Sequence, residues 1–235
     1  MGSSRLPGKV LADIGGQPVL THLFDRLKQA TMLDDLVLAT TNASPDNVLE
    51  EWARDQAIPI YRGSEDDVLG RVIDAHRMMG TDVIVELTGD CAFLDPEIVD
   101  LAITSFIHND CDIVTNTVRR SFPIGMDVQV FQFSALAHVA AKVEDAAVRE
   151  HVSLYFYEHP ETYRIIHLLP LRHWFEPDYR LVLDYEEDLV FLREIWSRLF
   201  PRHGPTFSLE QMIELLRDEP QLLDINRHCL QKTAR

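Results

Sequence analysis

Short apolar runs alternate with segments of helical periodicity through the first half of the chain. Residues 36–41 and 83–87 have the length and composition of buried strands, and residues 46–56 repeat apolar side chains at helical spacing. This alternation predicts an α/β fold with a mostly parallel sheet, helices on both faces, and ligands bound beyond the carboxyl ends of the strands. Further strands are predicted at 58–61 and 112–115, and further helices at 18–30, 65–79 and 95–107.

The second half of the chain continues with strands and helices in a less regular order. Residues 126–133 and 165–169 predict strands that form an antiparallel addition to the sheet. An apolar run at 180–184 predicts another strand, and a helix is predicted at 186–199. Helix caps are predicted at Ser64 with Asp67, at Asp95 with Pro96, and at Ser208 with Gln211.

The first nine residues have the composition of an anion-binding loop. Two glycines let the backbone approach a ligand, a proline stiffens the bend, and two serines supply hydroxyl groups. Arg5 and Lys9 add two cations, as a polyphosphate ligand requires. By spacing alone, a solvated terminal tail is the more common structure for such a segment. The residues concerned are Gly2, Ser3, Ser4, Arg5, Pro7, Gly8 and Lys9.

Length and charge limit the possible functions. A chain of 235 residues with 46% hydrophobic content can bury a sizeable core, and no linker divides it. We expect one domain, with residues 1–203 forming the body and 204–235 a helical extension packed on it. The net charge of −16 argues against a nucleic-acid partner. Binding of a triphosphate by so acidic a chain requires local cations, which Arg5, Lys9 and a divalent metal would supply.

The cysteines and the hydropathy pattern indicate a cellular location. Cys91, Cys111 and Cys229 are odd in number and widely spaced, so neither a disulfide framework nor a zinc site is predicted. No run approaches the roughly 20 apolar residues of a membrane helix, and no signal-peptide pattern is present. We therefore expect a cytoplasmic protein with no membrane partner.

Two aspartates have the positions of metal ligands. Asp90 follows a buried apolar strand and a glycine, so its carboxylate should project into the crevice at the strand ends. Mg²⁺ usually takes one or two protein carboxylates and fills its other positions with water and phosphate oxygens. Asp184 also ends an apolar run and could be the second ligand. The alternative is that both aspartates cap helices. Glu187 and Asp188 are expected in the first turn of a helix, where acidic groups favour its dipole.

Residues 3–11, Ser-Ser-Arg-Leu-Pro-Gly-Lys-Val-Leu, resemble the nucleotide-binding signature of the cytidylyltransferases that activate sugar acids, such as acylneuraminate and 3-deoxy-manno-octulosonate cytidylyltransferases. The resemblance covers essentially the whole chain and is to the spore coat polysaccharide biosynthesis branch of that family. It implies the single-domain, Rossmann-like fold of nucleotide-diphospho-sugar transferases. The other motifs that carry it are residues 62–69, 87–91, 95–98, 149–152, 207–210 and 224–226.

The resemblance implies transfer of CMP from CTP to a sugar acid or related acceptor, with release of pyrophosphate, for surface polysaccharide or glycan synthesis. It makes Asp90 and Asp184 the ligands of Mg²⁺ and places Arg5 and Lys9 on the leaving pyrophosphate. Arg149 would bind the carboxylate of the acceptor. Nucleotide contacts are implied for Ser3, Ser4, Gly8, Arg62, Asp66 and Arg71. Contacts with the acceptor are implied for Asn116, Asp127, Arg149 and His151.

The chain departs from the family pattern at two places. Tyr185 and Glu186 stand where the family usually has Thr-Pro, which keeps the ligand Asp184 and changes the turn after it. In the family, a hydrophobic strand and an Arg also precede the residue that corresponds to Met1. We therefore expect the strands at 36–41 and 83–87 to lack ladder partners, the chain as given to be poorly stable, and translation to start upstream.

Two other functions remain open at this point. A nucleotide-sugar glycosyltransferase would share the βα layout and the metal, but it usually carries Asp-x-Asp at a strand end, where this chain has Gly-Asp-Cys at 89–91. A non-catalytic partner subunit would keep the fold and lose the site. A homodimer is also possible, with a contact formed by residues 122–132 and the apolar face of the C-terminal helices.

Overall fold

The computed structural model describes residues 1–231, which contain nine α-helices and eight short strands. The helices are α1 (Val19–Leu27), α2 (Asn47–Asp55), α3 (Val68–Met79), α4 (Pro96–Ile107), α5 (Phe133–Lys142), α6 (Ala146–Glu150), α7 (Leu154–Glu158), α8 (Glu186–His203) and α9 (Leu209–Asp218). The strands are β1 (Asp13–Ile14), β2 (Gln17–Pro18), β3 (Leu38–Thr41), β4 (Ile60–Gly63), β5 (Val83–Glu86), β6 (Ile113–Thr115), β7 (Gln129–Gln132) and β8 (Ile165–His167).

The strands form two sheets and a small hairpin of β1 and β2. β3 pairs with β4 in parallel, and the larger sheet has the order β5-β7-β6-β8. β7 is the antiparallel strand that was predicted, although it lies inside the sheet, between β5 and β6. The prediction that residues 165–169 also run antiparallel is wrong. β8 pairs with β6 in parallel because α5, α6 and α7 form a helical crossover before it.

Helices cover both faces of the larger sheet. Successive strand residues point to opposite faces and so pack against different helices. Val114 and Val130 pack in one hydrophobic cluster with residues of α1, α4, α8 and α9. Their neighbours Ile113 and Phe131 pack in a second cluster with residues of α3, α5, α6 and α7. The predicted α/β fold with helices on both faces is therefore confirmed.

The C-terminal helix is fixed to the body by buried polar contacts. Ser208 and Gln211 form the predicted capping box of α9. Asp95 is the predicted cap of α4, and its second carboxylate oxygen accepts a hydrogen bond from the Leu209 N–H over 2.5 Å. The buried Arg26 of α1 donates to the Phe207 carbonyl over 2.7 Å. These bonds join the start of α9 to α1 and α4.

Two local predictions need correction. α3 begins at Val68 and is capped by Asp67 alone, whose carboxylate accepts from the Gly70 N–H. Residues 180–184 do not form a strand, since their only ladder contact in the described chain is a bridge between Arg180 and Ile124. The apolar side chains of residues 122–131 are buried or half-buried in this chain's own core, and the dimer contact at residues 122–132 stays a prediction.

β3 and β5 face each other across a gap. Within the described residues, β3 pairs only with β4 and β5 pairs only with β7, so each strand has one free edge. The prediction that these two strands lack ladder partners is therefore confirmed. A cavity of about 830 Å³ lies between the free edges, lined by residues of both strands and of α1, α3 and α4.

Candidate active site

The N-terminal segment is a compact loop that ends in a 3-10 turn, Lys9–Leu11. Gly8 precedes this turn in a left-handed conformation, with φ at 73°, which residues with a side chain rarely adopt. Its N–H donates to the carbonyl of Met1 over 3.2 Å and closes the loop. In this conformation the two cations of the loop, Arg5 and Lys9, reach the same carboxylate, that of Asp184.

The loop lies over the carboxyl ends of β3 and β5. The Met1 amino nitrogen is 2.5 Å from Oδ1 of Asp46, whose other oxygen accepts hydrogen bonds from the hydroxyls of Thr40 and Thr41 at the end of β3. On the other side, Lys9 reaches Asp90, which follows β5. The loop therefore occupies the edge of the sheets where α/β folds bind ligands.

Asp184 is held next to Asp90 by backbone contacts. The Leu183 N–H donates to the Asp90 carbonyl over 3.0 Å, and the Leu181 N–H donates to the Ile124 carbonyl over 2.7 Å. Gly125 permits this close approach, because a Cβ there would lie 2.6 Å from the Leu181 carbonyl carbon. The chain around residue 184 is thus attached to the strand-end segments without being a strand itself.

The side chain of Lys9 joins the two aspartates. Its ammonium nitrogen lies 2.5 Å from Oδ2 of Asp90 and 2.7 Å from Oδ1 of Asp184. Burial alone would lower the pKa of Lys9, but the two carboxylates raise it above the ordinary value. Burial alone would raise the pKa of Asp184, but Lys9, Arg5 and Arg180 lower it. Lys9 and Asp184 therefore each stabilise the charged form of the other.

Arg180 holds Asp184 from the opposite side, and the sequence analysis did not identify it. Its Nη2 lies 3.1 Å from Oδ2 of Asp184, and the guanidinium also binds both oxygens of the fully buried Asp188. Asp188 in turn accepts from the backbone N–H groups of residues 184 and 185 and from the amide of Asn226. Arg5 lies over the Tyr185 ring, 5.0 Å from its centroid. Asp188 has the first-turn position that was predicted for it, at the start of α8.

The donor set fits a divalent cation. The carboxylates of Asp90 and Asp184 converge on one point, where the ammonium of Lys9 provides a positive charge in this structure. Two carboxylates with an open side toward a phosphate loop are the protein ligands that Mg²⁺ usually takes.

A second group of potential ligands, Glu187, His228 and Cys229, lies where the C-terminal segment meets α8, with ligand atoms within 4.8 Å of one another.

Some of the residues with implied nucleotide contacts are exposed, and others bind the protein's own backbone. Ser4 and Asp66 are exposed, and Ser3 accepts a hydrogen bond from the backbone of the loop itself. Arg62 instead makes four hydrogen bonds to residues 41–50, including the Thr41 and Ala43 carbonyls, so the structure gives it a role in fixing the loop after β3. Arg71 donates to the Ser64 carbonyl and lines the cavity between the strands.

The residues with implied acceptor contacts are each held by contacts within the protein. Asn116 is buried, with 1% exposure, and its amide bonds the Met126 carbonyl and the Val128 N–H, so its role is structural. Arg149 pairs with Asp67 at 3.3 Å and donates to the Ala140 carbonyl, which leaves it committed to the protein. Asp127 forms an ion pair with Arg120. His151 ends α6 and is half-buried.

A network of polar side chains extends from the strand ends near Asp127. Glu86 accepts a hydrogen bond from Gln129, which accepts one from the Tyr157 hydroxyl over 2.7 Å. Burial, reinforced by the charges of Asp127 and Asp90, raises the pKa of Glu86 to about 7. Burial also raises the pKa of Asp127, although Arg120 opposes the shift. Sequence reasoning missed this network because its members come from three strands, from the turn after β6 and from α7. They are Glu86, Thr115, Thr117, Gln129 and Tyr157.

The fold and the site define a nucleotidyltransferase. A family model described as cytidylyltransferase matches residues 1–223. The chain belongs to the cytidylyltransferase family, whose nucleotide substrate is CTP.

Two relatives cover nearly the full chain. It is 32% identical to the uncharacterized protein MJ1063 of Methanocaldococcus jannaschii over 236 residues, which is all of this chain and 94% of that protein. It is 33% identical to the spore coat polysaccharide biosynthesis protein SpsF of Bacillus subtilis over 226 residues, which is 94% of this chain and 92% of SpsF.

Solved structures agree with the fold. A cytidylyltransferase from Leptospira borgpetersenii superposes with a TM-score of 0.89 at 30% identity, covering 99% of this chain and 95% of that one. A CMP-2-keto-3-deoxy-manno-octonic acid synthetase complexed with CTP superposes with a TM-score of 0.61 at 15% identity, covering 84% of this chain and 95% of that one. The second likeness shows the fold alone. Among residues 1–231, no helix has the length and apolar character needed to cross a membrane.

Proposed function

We propose that this protein transfers CMP from CTP to a hydroxyl group of a sugar acid or related acceptor, with release of pyrophosphate, as a step in surface polysaccharide or glycan synthesis. The observation that carries the proposal is the convergence of Asp90 and Asp184 on Lys9, with Arg5 on the same carboxylate. Two carboxylates and two cations at the strand ends match the needs of a metal-bound triphosphate.

The reaction forms one bond at the α-phosphorus of CTP and breaks another. The acceptor oxygen bonds to the α-phosphorus, and the bond from that phosphorus to the bridging oxygen of the β-phosphate breaks. The hydroxyl proton passes to water. Asp90 and Asp184 would hold Mg²⁺, which when bound offsets phosphate charge and favours deprotonation of the acceptor. Arg5 and Lys9 stabilise the charge on the leaving pyrophosphate, and alignment of the two substrates lowers the barrier further.

Lys9 has two successive roles in this proposal. With neither metal nor nucleotide bound, its ammonium offsets the charges of Asp90 and Asp184, which would otherwise repel each other at close range. The ammonium has three N–H donors, and the two carboxylates take two of them in this structure. We expect it to turn to the phosphates when a divalent cation binds the aspartates.

The polar network beside the site supports an acceptor rich in hydroxyl groups. Glu86, Gln129 and Tyr157 alternate donors and acceptors next to the Asp127–Arg120 ion pair. Arg149 is paired with Asp67, so recognition of an acceptor carboxylate by Arg149 would require that pair to break.

Two other functions have less support. A glycosyltransferase would usually present an Asp-x-Asp pair, whereas Asp90 is followed by the buried Cys91. An inactive partner subunit would not need the ion pairs that join Arg5, Lys9, Asp90 and Asp184.

Pyrophosphate release separates these functions. The protein is incubated with Mg²⁺, each of CTP, UTP, ATP and GTP, and a panel of sugar acids and neutral sugars. We expect pyrophosphate only with CTP and an acidic acceptor, and none from Asp184→Asn. Asp178→Asn is the matched control, because Asp178 is exposed in the same segment. In a parallel assay with nucleotide sugars as donors, sugar transfer without pyrophosphate release would favour the glycosyltransferase. The absence of thermal stabilisation by any nucleotide would favour the inactive subunit.

A further inference from the structure

The last part of the described chain lies against the start of α8. Asn226 is buried, and its amide donates to Oδ1 of Asp188 over 2.9 Å and to the Arg180 carbonyl over 3.1 Å. Further along the chain, the Tyr185 hydroxyl donates to the Leu230 carbonyl over 3.4 Å. These contacts fix the backbone on both sides of residues 228 and 229.

Three side chains of different chemistry meet at this contact. Glu187, His228 and Cys229 have ligand atoms within 4.8 Å of one another, and Nε2 of His228 lies 3.2 Å from Oε1 of Glu187. The ligand atoms of a tetrahedral zinc site are about 3.3–3.8 Å apart, because the bonds to zinc are about 2.0–2.3 Å long. The side chains of His228 and Glu187 are 67% and 45% exposed, so they can make the movement of roughly 1 Å that closes such a site.

A surface ion pair would explain Glu187 and His228 but not the third group. Burial and the charges of Asp188 and Glu187 raise the pKa of the Cys229 thiol. The same negative charges favour a cation at this point, and a bound divalent cation favours the thiolate. The positive end of the α8 dipole opposes a cation, but Glu186 and Glu187 in the first turn offset it.

The ligand types favour zinc over magnesium. Mg²⁺ prefers oxygen ligands, whereas thiolate and imidazole suit Zn²⁺. The group therefore differs in chemistry from Asp90 and Asp184, which offer oxygen alone. Glu187 and His228 are 41 residues apart in the chain, so the spacing of the cysteines gave no sign of this group.

We propose that Glu187, His228 and Cys229 bind Zn²⁺, with water in the fourth tetrahedral position. On binding, the Cys229 thiol loses its proton to water and its sulfur bonds to the metal. The metal joins the C-terminal segment to α8 next to Asp188, whose carboxylate binds Arg180. Zinc thereby reinforces the buried network beside the active site, and it is separate from the cation of the CTP complex.

The experiment measures zinc affinity and detects the sulfur ligand. Zn²⁺ binding is followed by competition with a chromogenic chelator, in excess Mg²⁺ and with a phosphine reductant that keeps the thiols reduced. Co²⁺ replaces Zn²⁺ in a second titration, where a thiolate-to-cobalt charge-transfer band reports a sulfur ligand. The variants are Cys229→Ser, His228→Gln and Glu187→Gln. The matched controls are Cys111→Ser and His138→Gln, which lie outside this group.

We expect one tight zinc site whose affinity falls at least about tenfold in each of the three variants and is unchanged in both controls. Free Zn²⁺ at about 100 times its Kd should raise Tm by about 5 °C or more, and Cys229→Ser should lose this shift. The cobalt band should be present in the unsubstituted protein and absent from Cys229→Ser.

Three results would overturn the proposal. The first is the absence of the cobalt band from the unsubstituted protein, which needs no variant to fold. The second is a zinc affinity that is unchanged in both Cys229→Ser and His228→Gln, as a simple ion pair of Glu187 with His228 predicts. The third is loss of zinc binding in Asp90→Asn but not in Cys229→Ser, which would assign the ion to the aspartates of the active site.

Discussion

The guanidinium of Arg180 binds Oδ2 of Asp184 at 3.1 Å, while Oδ1 of the same carboxylate accepts from Lys9 at 2.7 Å. The two oxygens thus face different parts of the protein. Arg180 belongs to a buried network with Asp188, whereas Lys9 belongs to the phosphate loop. Arg180 therefore positions Asp184 and leaves one oxygen available at the site.

Substitution of Arg180 should damage both stability and metal binding. Arg180→Gln leaves the buried Asp188 without its charge partner, which costs about 3–5 kcal/mol and lowers Tm by about 10 °C. Arg180→Lys restores the charge without the planar fork and should recover part of the loss. Tm and the Mg²⁺ concentration for half-maximal activity are measured for both, with the exposed Arg193→Gln as control. A normal Mg²⁺ requirement in a folded Arg180→Lys variant would remove the positioning role.

Substitution of Lys9 should raise the affinity for the metal ion and lower the affinity for the nucleotide. Lys9→Met removes the cation that competes for Asp90 and Asp184, so affinity for Mn²⁺ without nucleotide should rise about tenfold. Affinity for CTP should fall, because a phosphate contact is lost. Mn²⁺ binding by electron paramagnetic resonance and CTP binding by calorimetry give the two values, with the exposed Lys28→Met as control. A parallel fall in both affinities would show that Lys9 supports the metal site rather than competing for it.

Arg5 should contribute much more to the binding of CTP than to the binding of CMP. We expect Arg5→Ala to weaken CTP binding by about 1.5–3 kcal/mol, roughly 10- to 150-fold, because charge-assisted contacts to the pyrophosphate are lost. CMP binding should change much less. Calorimetric titration with both nucleotides, with the exposed Arg54→Ala as control, provides the comparison. Equal losses for CTP and CMP would place Arg5 away from the leaving group.

Glu86 should make the protein less stable as pH rises. Its folded pKa of about 7 exceeds the ordinary value of 4.5, so the folded state binds its proton more tightly than the unfolded state does. Stability is therefore lost between about pH 4.5 and 7. Glu86→Gln removes this dependence, so its Tm should match the parent near pH 4.5 and exceed it by about 5 °C at pH 7.5. The exposed Glu51→Gln is the control, and a Tm difference that does not change with pH would contradict the assignment.

Strand-end reasoning placed Asp90 correctly because its position depends on a local pattern, an apolar run followed by Gly-Asp. The apolar run before Asp184 also pointed to this residue as a site candidate, although residues 180–184 make one bridge and do not form a strand. A strand with alternating faces would have put Arg180 and Asp184 on the same side, which was an unused signal for their contact.

Long-range contacts were not predictable from local patterns. Arg62 is committed to the loop after β3, and Asn116 to the backbone of residues 126–128. Each of these partners is distant in sequence or depends on a loop conformation. The helices α5, α6 and α7 were also missed. α6 and α7 have five residues each, which is too few turns to show a period.

The central claim is that Asp90 and Asp184 together hold the cation of the CTP complex. Metal binding tests this claim most directly. Binding of Mn²⁺ in the presence of CTP is followed by the electron paramagnetic resonance signal of the free ion. We expect one tight site in the unsubstituted protein, unchanged in the exposed Asp178→Asn and weakened at least about tenfold in Asp90→Asn and in Asp184→Asn, with pyrophosphate release abolished in the last two. Folded Asp90→Asn and Asp184→Asn variants that bound Mn²⁺ with CTP as tightly as the unsubstituted protein would show that these carboxylates are not the metal ligands.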